Sequence, residues 1–296
     1  MNLTVVTSFF SPVEYELPRK HFLATMEMLR KEQEKHEFEV VVSQVIAPWQ
    51  KLLPVPSSFF SDYYMTDHIL FYKDNLWNLA TARSENTNFI FFDADVFFSN
   101  EDWVENVMQS LEQNEIIQPF ETCDWLSKNG TSVEISKKSA AVNLSQGLPL
   151  NCKECHVGFG WGCTRNGWNK IGGWFDANVS GSNDTATALA FEQHQEKSWT
   201  RKWFEMIGDA SPAWVAYREN VQRQNITVGY SKGNHLLHRW HGENKNRQYS
   251  SRHNLFPRNK TGNHPVHKNE HGLWQWDSKE LNEGPKKYFQ GRLDDG

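Results

Sequence analysis

Apolar stretches alternate with amphipathic stretches along the first 120 residues of the chain. Four stretches rich in β-branched and aromatic residues predict β-strands: residues 3–10, 38–46, 88–98 and 116–120. Three stretches between them place apolar residues on one face at helical spacing, which predicts helices: residues 18–36, 74–83 and 101–114. This β-α-β-α-β-α-β order predicts an α/β fold, a sandwich with a mostly parallel central sheet.

The pattern changes after residue 123. Residues 124–151 are polar and show no clear period, so we expect a long flexible loop of the kind that closes as a lid. A stretch rich in glycine and aromatic residues follows at 156–162, and helical spacing returns near 166–171 and 186–194. We expect a main domain over residues 1–245 and a basic, aromatic extension over residues 246–296 that packs on it.

Two carboxylates interrupt the most apolar of the predicted strands. Asp93 and Asp95 lie within the run FFDADVFF at residues 91–98. An ionised carboxylate taken out of water is costly unless something compensates its charge. Side chains at i and i+2 of a strand share a face, and ligands of open parallel sheets bind at the carboxyl ends of the strands. The sequence therefore predicts a divalent metal site at this pair.

Composition and charge narrow the classes of function. With 296 residues, 38% of them hydrophobic and 23% charged, the chain is typical of soluble globular proteins. We find no signal peptide and no apolar run of about 18 residues, so we expect no membrane span and a cytoplasmic location, the host cytoplasm if the protein is viral. The net charge of −5 argues against general nucleic-acid affinity.

One window departs from this charge balance. Residues 238–268 carry seven Lys and Arg side chains and one Glu, which gives the window a net charge of +6. A polyanion, either a diphosphate or a nucleic acid, is the partner that such a window favours. A solvated basic tail is the alternative interpretation.

Four segments, in order, resemble GT-A glycosyltransferases of the family 2 and β-1,4-galactosyltransferase-like kind found among bacteriophage and bacterial proteins. The segments are VVTSFF (5–10), DAD (93–95), HVGFGW (156–161) with IGGWFD (171–176), and LLHRWHG (236–242) with KNRQY (245–249). The resemblance covers most of the chain and implies a Rossmann-like GT-A catalytic domain. It also implies an enzyme that moves a sugar from a nucleotide sugar, a UDP-sugar, to an acceptor hydroxyl.

The resemblance implies roles for the metal-binding and catalytic residues. Asp95 would be the direct carboxylate ligand of Mn²⁺ or Mg²⁺, and Asp93 would hold either the ribose or the metal with its water. His241 would be the third ligand, with His238 as the alternative. Asp184 would be the base of an inverting displacement, although the family carries a Glu-Asp-Asp cluster where this chain has Asn183 before Asp184. A helix N-cap is the alternative role for Asp184.

Further predicted contacts with the donor follow from the same resemblance. They are Thr7, Ser8, Phe9, Lys73, Asn78, Arg83, Gly158, Trp161, Lys245 and Arg247. A solvated helix face explains Lys73, Asn78 and Arg83 equally well, and a core position does so for Trp161.

The cysteines offer two other chemistries. Cys152-Lys153-Glu154-Cys155-His156 has the spacing of a covalent haem attachment site, but the chain shows no export signal. The four cysteines are enough for a thiolate zinc site, but a second Cys-x-x-Cys is missing. We therefore expect reduced, partly buried thiols.

The sequence does not identify the acceptor. A surface glycan, a protein, a lipid-linked sugar and a modified DNA base are the candidates. The resemblance to phage-type enzymes, the expected cytoplasmic location and the +6 window together favour hydroxymethylated pyrimidine in DNA as a hypothesis. A nucleotide-sugar pyrophosphorylase would need a glycine-rich loop where this chain has Ser8-Phe9-Phe10-Ser11. A non-catalytic carbohydrate-binding protein is the other alternative. No obligate protein partner is expected.

Overall fold

The computed structural model describes residues 2–296, apart from the side chain of Gln195. Its strands are β1 (Leu3–Phe10), β2 (Glu39–Ile46), β3 (Phe60–Met65), β4 (Asn88–Phe92), β5 (Val96–Phe98), β6 (Ile116–Gln118), β7 (Thr122–Leu126), β8 (Val133–Ser139), β9 (Cys155–His156), β10 (Gly160–Thr164), β11 (Val228–Tyr230), β12 (His235–His238), β13 (Val266–Lys268) and β14 (Trp274–Trp276). Its α-helices are α1 (Glu16–Gln33), α2 (Lys73–Arg83), α3 (Trp103–Gln113), α4 (Ala140–Ser145), α5 (Arg165–Ile171), α6 (Asn183–Phe191), α7 (Trp199–Met206), α8 (Pro212–Gln222) and α9 (Glu283–Gly291). Short 3-10 helices cover Gln195–Lys197, Asn244–Arg247, Arg252–Leu255 and Lys279–Asn282.

The central sheet has the strand order β11-β6-β10-β4-β1-β2-β3. β1 pairs in parallel with β2 and with β4, so Val5 lies beside both Val40 and Ile90. β2 and β3 are parallel, as are β6 and β11, whereas β10 runs against both of its neighbours. Six of the seven strands in this sheet therefore share one direction, which confirms the predicted mostly parallel sheet.

Alternate residues of the central strands face two separate cores. In β4, Phe89 and Phe91 belong to a core shared with α2, α6 and α8, and Ile90 and Phe92 belong to a core shared with α1 and α3. Because helices cover both faces of the sheet, every one of these residues is apolar. This is why the sequence shows a continuous apolar run here, and the predicted α/β/α sandwich is confirmed.

A second sheet has the strand order β5-β12-β7-β8-β9. Residues 88–98, predicted as one strand, are divided between the two sheets, because β4 belongs to the central sheet and β5 to the second one. Asp93 and Asp95 occupy the turn at this break. The two carboxylates therefore follow a buried strand and do not lie within it.

The predicted long loop at residues 124–151 is wrong. β7 pairs with β8 as an antiparallel hairpin, with Asp124 opposite Ser136, and α4 follows directly. Most of β8 is exposed or partly exposed, and in its sequence VEISKKS only Val133 and Ile135 alternate with polar residues. Two apolar positions are too few to distinguish a half-buried strand from a polar loop.

The sequence pattern also missed one edge strand. β3 pairs only with β2 within the described chain, and its residues Phe60, Tyr63 and Met65 are exposed. Because large apolar residues occupy exposed positions, the sequence lacks the alternation of apolar and polar residues that would have identified this strand.

Residues 246–296 pack on the rest of the chain. Trp276, Tyr288 and Phe289 share a core with Leu70 and Leu76. A domain boundary at residue 245 stays a prediction. Among the described residues, none of the helices has the length and apolar character needed to cross a membrane.

Candidate active site

A cavity of about 660 Å³ opens where β1 and β4 end. Ser8 and Phe9 line it from the end of β1, and the turn at residues 93–95 lines it from the end of β4. Its charged and imidazole-bearing lining residues are Lys73, Asp74, Asp93, Asp95, Lys137, His156, Asp184, His238, His241, Arg247, Arg252, Arg292 and Asp294. Ligands of open parallel sheets bind at this edge, so the cavity lies where the topology predicts a site.

Backbone hydrogen bonds fix the turn that carries the two carboxylates. The N–H of Asp93 donates to the carbonyl of Phe159 at 3.0 Å, and the N–H of Arg239 donates to the carbonyl of Asp95 at 2.9 Å. Both partners come from distant parts of the chain. Since the main chain is held from two sides, the carboxylate side chains keep a defined place in the cavity wall.

Asp95, His238 and His241 form a cluster suited to a metal ion. One ligand atom from each lies within 4.8 Å of the others. The Asp95 Oδ2 atom lies 2.9 Å from His241 Nε2 and 3.7 Å from His238 Nε2, and the two imidazole nitrogens are 3.0 Å apart. The sequence left His238 and His241 as alternatives, and the structure brings both to Asp95.

The protonation of this cluster fits a divalent cation. Burial lowers the pKa of His241 to about 4, although the Asp95 carboxylate acts against this, so the imidazole is neutral at pH 7 and able to bind a metal. Burial acts to raise the pKa of Asp95, but His241 and His238 hold it well below its usual value. Among the described residues, the other oxygen, Oδ1, has no hydrogen-bond partner. One carboxylate and two imidazoles suit Mn²⁺ better than Mg²⁺, which prefers oxygen ligands.

Asp93 contacts Lys73 in the cavity wall, and its role at the ribose or at the metal stays a prediction. Its Oδ1 atom lies 3.2 Å from Lys73 Nζ, and it is not part of the metal-binding cluster. Burial would lower the pKa of Lys73, but Asp93, Asp184 and Asp74 together raise it, so the ammonium group stays charged. Burial raises the pKa of Asp93 to about 6, although Lys73 acts against this. Lys73 therefore balances buried carboxylates in the cavity wall.

Asp184 lies in the first turn of α6 and is the second carboxylate that contacts Lys73. Its Oδ2 atom is 3.8 Å from Lys73 Nζ, and its Oδ1 atom accepts a hydrogen bond from the N–H of Thr185 at 2.7 Å. Burial would raise its pKa, but Lys73 and His156 hold it below the usual value, so this carboxylate is ionised at pH 7. The helix N-cap is Ser182, so the alternative role for Asp184 as an N-cap is wrong.

Gly158 lies directly against this carboxylate. A Cβ atom at position 158 would come within 2.6 Å of Asp184 Oδ2 and 3.1 Å of His156 Nε2. Any side chain here would displace the carboxylate. Gly158 thus shapes the site, although it is not one of the residues that line the cavity.

An aromatic wall behind the metal cluster was missed by the sequence analysis. Phe159 stacks on the ring of His238, with centroids 4.6 Å apart and planes 15° apart, and it also contacts Trp125 and His156. Its backbone has φ +72°, a conformation that costs a non-glycine residue about 1–3 kcal/mol. The same residue accepts the hydrogen bond from Asp93, so it orients both the turn and an imidazole of the candidate metal cluster.

Arg247 and Asp294 support the other imidazole. Arg247 contacts the ring of His241 and donates to its backbone carbonyl at 2.6 Å. Asp294 lies 3.5 Å from Arg247 and 3.0 Å from Arg292, and its side chain is buried. Asp294 gave no signal in the sequence, because it belongs to a short acidic segment near the C-terminus that resembles no motif.

The basic window at residues 238–268 is not a basic surface. Arg247 and Arg252 are buried in the cavity wall, and Arg258 and Lys268 pair with aspartates at 2.6 Å and 2.8 Å. Lys245 is exposed and lies outside the cavity lining, so its predicted contact with the donor is not supported. Counting charges overstated the positive surface, since most of these side chains are engaged inside the fold.

Four other predicted donor contacts lie outside the cavity lining. Thr7 is buried and donates to the carbonyl of Phe92 at 3.0 Å. The side-chain amide of Asn78 bonds the backbone of Trp174, and Arg83 pairs with an aspartate on the surface at 2.5 Å. Trp161 is 1% exposed and donates to a backbone carbonyl, so it has the alternative role of a core residue.

Ser180, His253 and Asp209 superficially match a catalytic triad. The Nδ1 atom of His253 lies 3.0 Å from both Ser180 Oγ and Asp209 Oδ1. A triad needs the two partners on different ring nitrogens. All three side chains are buried and none of them lines the cavity, so the set is structural.

The cysteines do not form a metal site. Among the described residues, the one group of His, Cys, Asp and Glu arranged to hold a metal is Asp95 with His238 and His241. Cys123, Cys155 and Cys163 are buried, and burial raises the pKa of each thiol. These thiols therefore stay protonated, as expected for reduced structural cysteines.

No family model and no curated protein sequence matches the chain. The fold is similar to residues 1–349 of S. aureus TarS, with a TM-score of 0.45 and 9% identity over 86% of this chain and 62% of that chain. The same protein in complex with UDP gives a TM-score of 0.44 and 12% identity over 86% and 64%. A variant of Drosophila β1,4-galactosyltransferase 7 in complex with manganese, UDP-Gal and xylobiose gives 0.41 and 8% identity over 79% and 66%.

This chain thus spans less than two thirds of the TarS chain. The galactosyltransferase is by name a member of the enzyme class that the sequence motifs resemble. Because these TM-scores are below 0.5, the functional proposal rests on the residues of the site.

Proposed function

We propose that the protein is a metal-dependent glycosyltransferase that moves a sugar from a nucleotide-sugar donor to an acceptor hydroxyl. One observation carries the proposal: Asp95, His238 and His241 converge within 4.8 Å on the wall of a cavity whose other lining residues include the ionised Asp184. A non-catalytic sugar-binding site would need neither the ligand cluster nor the carboxylate. The cavity volume of about 660 Å³ is within the range of small-molecule sites.

The metal-binding cluster and the end of β1 form the donor side. Asp95, His238 and His241 would hold the cation, and Ser8 and Phe9 would lie against the nucleotide. A bound divalent cation would neutralise the diphosphate oxygens and so stabilise the leaving group. Arg247 orients His241 and adds positive charge to the same wall. The donor that the sequence resemblance implies is a UDP-sugar.

Asp184 provides the chemistry on the acceptor side. Its ionised carboxylate would take the proton of the acceptor hydroxyl while the oxygen attacks the anomeric carbon. Lys73 and His156 keep the carboxylate ionised, and Gly158 leaves space for it. A single displacement with one base inverts the anomeric centre, so we propose an inverting reaction.

The acceptor is proposed only as a hydroxyl-bearing molecule, such as a glycan or a protein side chain. The hypothesis of hydroxymethylated DNA depended on a basic surface at residues 238–268. That surface is reduced by the burial of Arg247 and Arg252 and by the ion pairs of Arg258 and Lys268. A protein that binds DNA through its phosphates needs exposed basic side chains.

Donor binding and hydrolysis test the proposal directly. Thermal shift measured with UDP, GDP, CDP and TDP sugars, with and without Mn²⁺, should show stabilisation by one nucleotide class only when the metal is present. Slow release of UDP from that donor should also require Mn²⁺ and stop with EDTA. Binding of free sugars without nucleotide, metal or turnover would instead identify a carbohydrate-binding protein.

Replacing His238 or His241 with alanine should weaken Mn²⁺ binding. Each imidazole is one of three predicted ligands, and we expect its removal to lower metal affinity by about 10- to 100-fold or more. This range is known for the loss of residues that hydrogen-bond a metal ligand without binding the metal. Isothermal titration with Mn²⁺ measures this loss. His267→Ala is the matched control, because His267 also contacts an aspartate but lies on the surface. Unchanged Mn²⁺ affinity in both site variants would contradict the ligand assignment.

A further inference from the structure

Arg252 is a buried cation in the cavity wall. The residue is 7% exposed, and its guanidinium contacts the rings of Phe71 and Tyr249, at 4.9 Å and 5.3 Å from their centroids. Nη1 donates to the hydroxyl of Tyr288 at 3.4 Å, and Nη2 donates to Ser182 Oγ at 3.2 Å. Nε is buried and has no hydrogen-bond partner among the described residues.

The other arginines of the cavity differ from Arg252 in their counterions. Arg247 and Arg292 both pair with Asp294, at 3.5 Å and 3.0 Å. Within the described chain, no carboxylate oxygen lies within 4.0 Å of the Arg252 guanidinium. Aromatic faces compensate a cation only partly, and a buried charge without a counterion is costly. Asp209 and Asp184 act on Arg252 only from beyond ion-pair distance, so its guanidinium remains able to pair directly with an anion of a ligand.

The position of Arg252 indicates which part of a substrate would carry that anion. Its Nη2 atom contacts Ser182, two residues before Asp184, and a Cβ atom on Gly181 would lie 2.6 Å from Nη2. It therefore packs against the loop that carries the proposed base. The donor diphosphate, in contrast, would lie at the cluster of Asp95 and the two imidazoles.

We propose that Arg252 forms an anion subsite beside Asp184 that binds a phosphate or carboxylate group of the acceptor. The acceptor would thus be an anionic molecule with a hydroxyl near its charged group. The guanidinium fork would bind two oxygens of the anion, and its contacts with Phe71 and Tyr249 fix the plane of the fork. This inference rests on the proposed function, because only a transferase has an acceptor.

Binding of labelled sulfate tests the subsite without knowledge of the acceptor. Sulfate is a tetrahedral dianion that stays soluble with Mn²⁺, and equilibrium dialysis at constant ionic strength measures its binding. The native protein should bind one sulfate, and Arg252→Gln should bind it at least about 10-fold more weakly, since hydrogen bonds to a charged donor are the strong ones. Arg252→Lys should retain part of the affinity. Arg223→Gln, a change of an exposed arginine outside the cavity, should bind like the native protein.

A second experiment with the native protein shows whether the anion site belongs to the acceptor or to the donor. Sulfate binding to the native protein should persist when UDP and Mn²⁺ are saturating. Displacement by UDP with Mn²⁺ would assign Arg252 to the donor diphosphate and overturn the proposal. So would undetectable sulfate binding, or equal binding by Arg252→Gln. If UDP with Mn²⁺ does not bind at all, the proposed function fails. Weaker sulfate binding by Arg252→Gln than by the native protein would still identify an anion site.

Discussion

Asp95→Ala should lose Mn²⁺-dependent UDP release by about 10²- to 10³-fold or more while the protein stays folded. The carboxylate is the one acidic member of the metal-binding cluster. Without it, two neutral imidazoles remain, and the cation has lost its only charged ligand. Removal of a single preorganised group that stabilises developing charge costs a rate factor of this size. UDP release measured at saturating donor, with and without Mn²⁺, gives the effect.

The stability of the same variant separates a metal-binding role from a structural one. Asp95 Oδ2 contacts both imidazoles, whereas Oδ1 has no hydrogen-bond partner among the described residues, so alanine removes favourable contacts and an unsatisfied oxygen together. The metal-free variant should therefore melt close to the temperature of the native protein. Mn²⁺ at 100 times its dissociation constant should stabilise the native protein by about 2.7 kcal/mol and the variant hardly at all.

Asp277→Ala is the matched control for this experiment. Asp277 also contacts an imidazole, at 2.9 Å, but it is half-exposed and lies outside the cavity. It should keep both turnover and stabilisation by Mn²⁺. Normal turnover of Asp95→Ala with Mn²⁺ would show that the ligand assignment, and with it the metal-dependent mechanism, is wrong.

The central sheet and the acidic turn could be predicted because each leaves a local signal. The largely apolar runs at residues 3–10 and 89–92 indicate strands covered on both faces, and the structure has both strands. Asp93 and Asp95 stood out because charge interrupts such a run. The hairpin of β7 and β8 left a weaker signal, since Val133 and Ile135 are the two apolar residues in the sequence of β8.

The rest of the site depends on contacts between distant parts of the chain. Arg252 and Lys245 look equivalent as charges in one basic window, yet one is buried in the cavity wall and the other is exposed. The sequence showed Phe159 as part of a glycine-rich motif. It did not show the left-handed backbone of this residue or its stacking on His238. Asp294 contacts Arg247 across 47 residues of sequence, and no local pattern reports that pairing.

Asp184→Asn should lower kcat by about 10²- to 10⁴-fold, the usual contribution of a general base. Asparagine keeps the shape of the side chain, and its oxygen can still accept the hydrogen bond from the N–H of Thr185. Binding of UDP and Mn²⁺ should change little, because Asp184 is not part of the metal-binding cluster. Donor affinity from titration and kcat from transfer assays separate these two effects. Asp62→Asn, outside the cavity, should leave both unchanged.

The pH dependence of kcat in Lys73→Met tests whether Lys73 controls the pKa of the proposed base, Asp184. Lys73 holds the pKa of Asp184 below its usual value, so removing the ammonium group should raise that pKa. A base with a raised pKa becomes protonated at higher pH, and the acid limb of the kcat profile should therefore move to higher pH in this variant. An acid limb that stays in place would show that Asp184 does not take the proton. If Asp184→Asn also kept its kcat, Asp184 would be excluded as the base of the inverting mechanism.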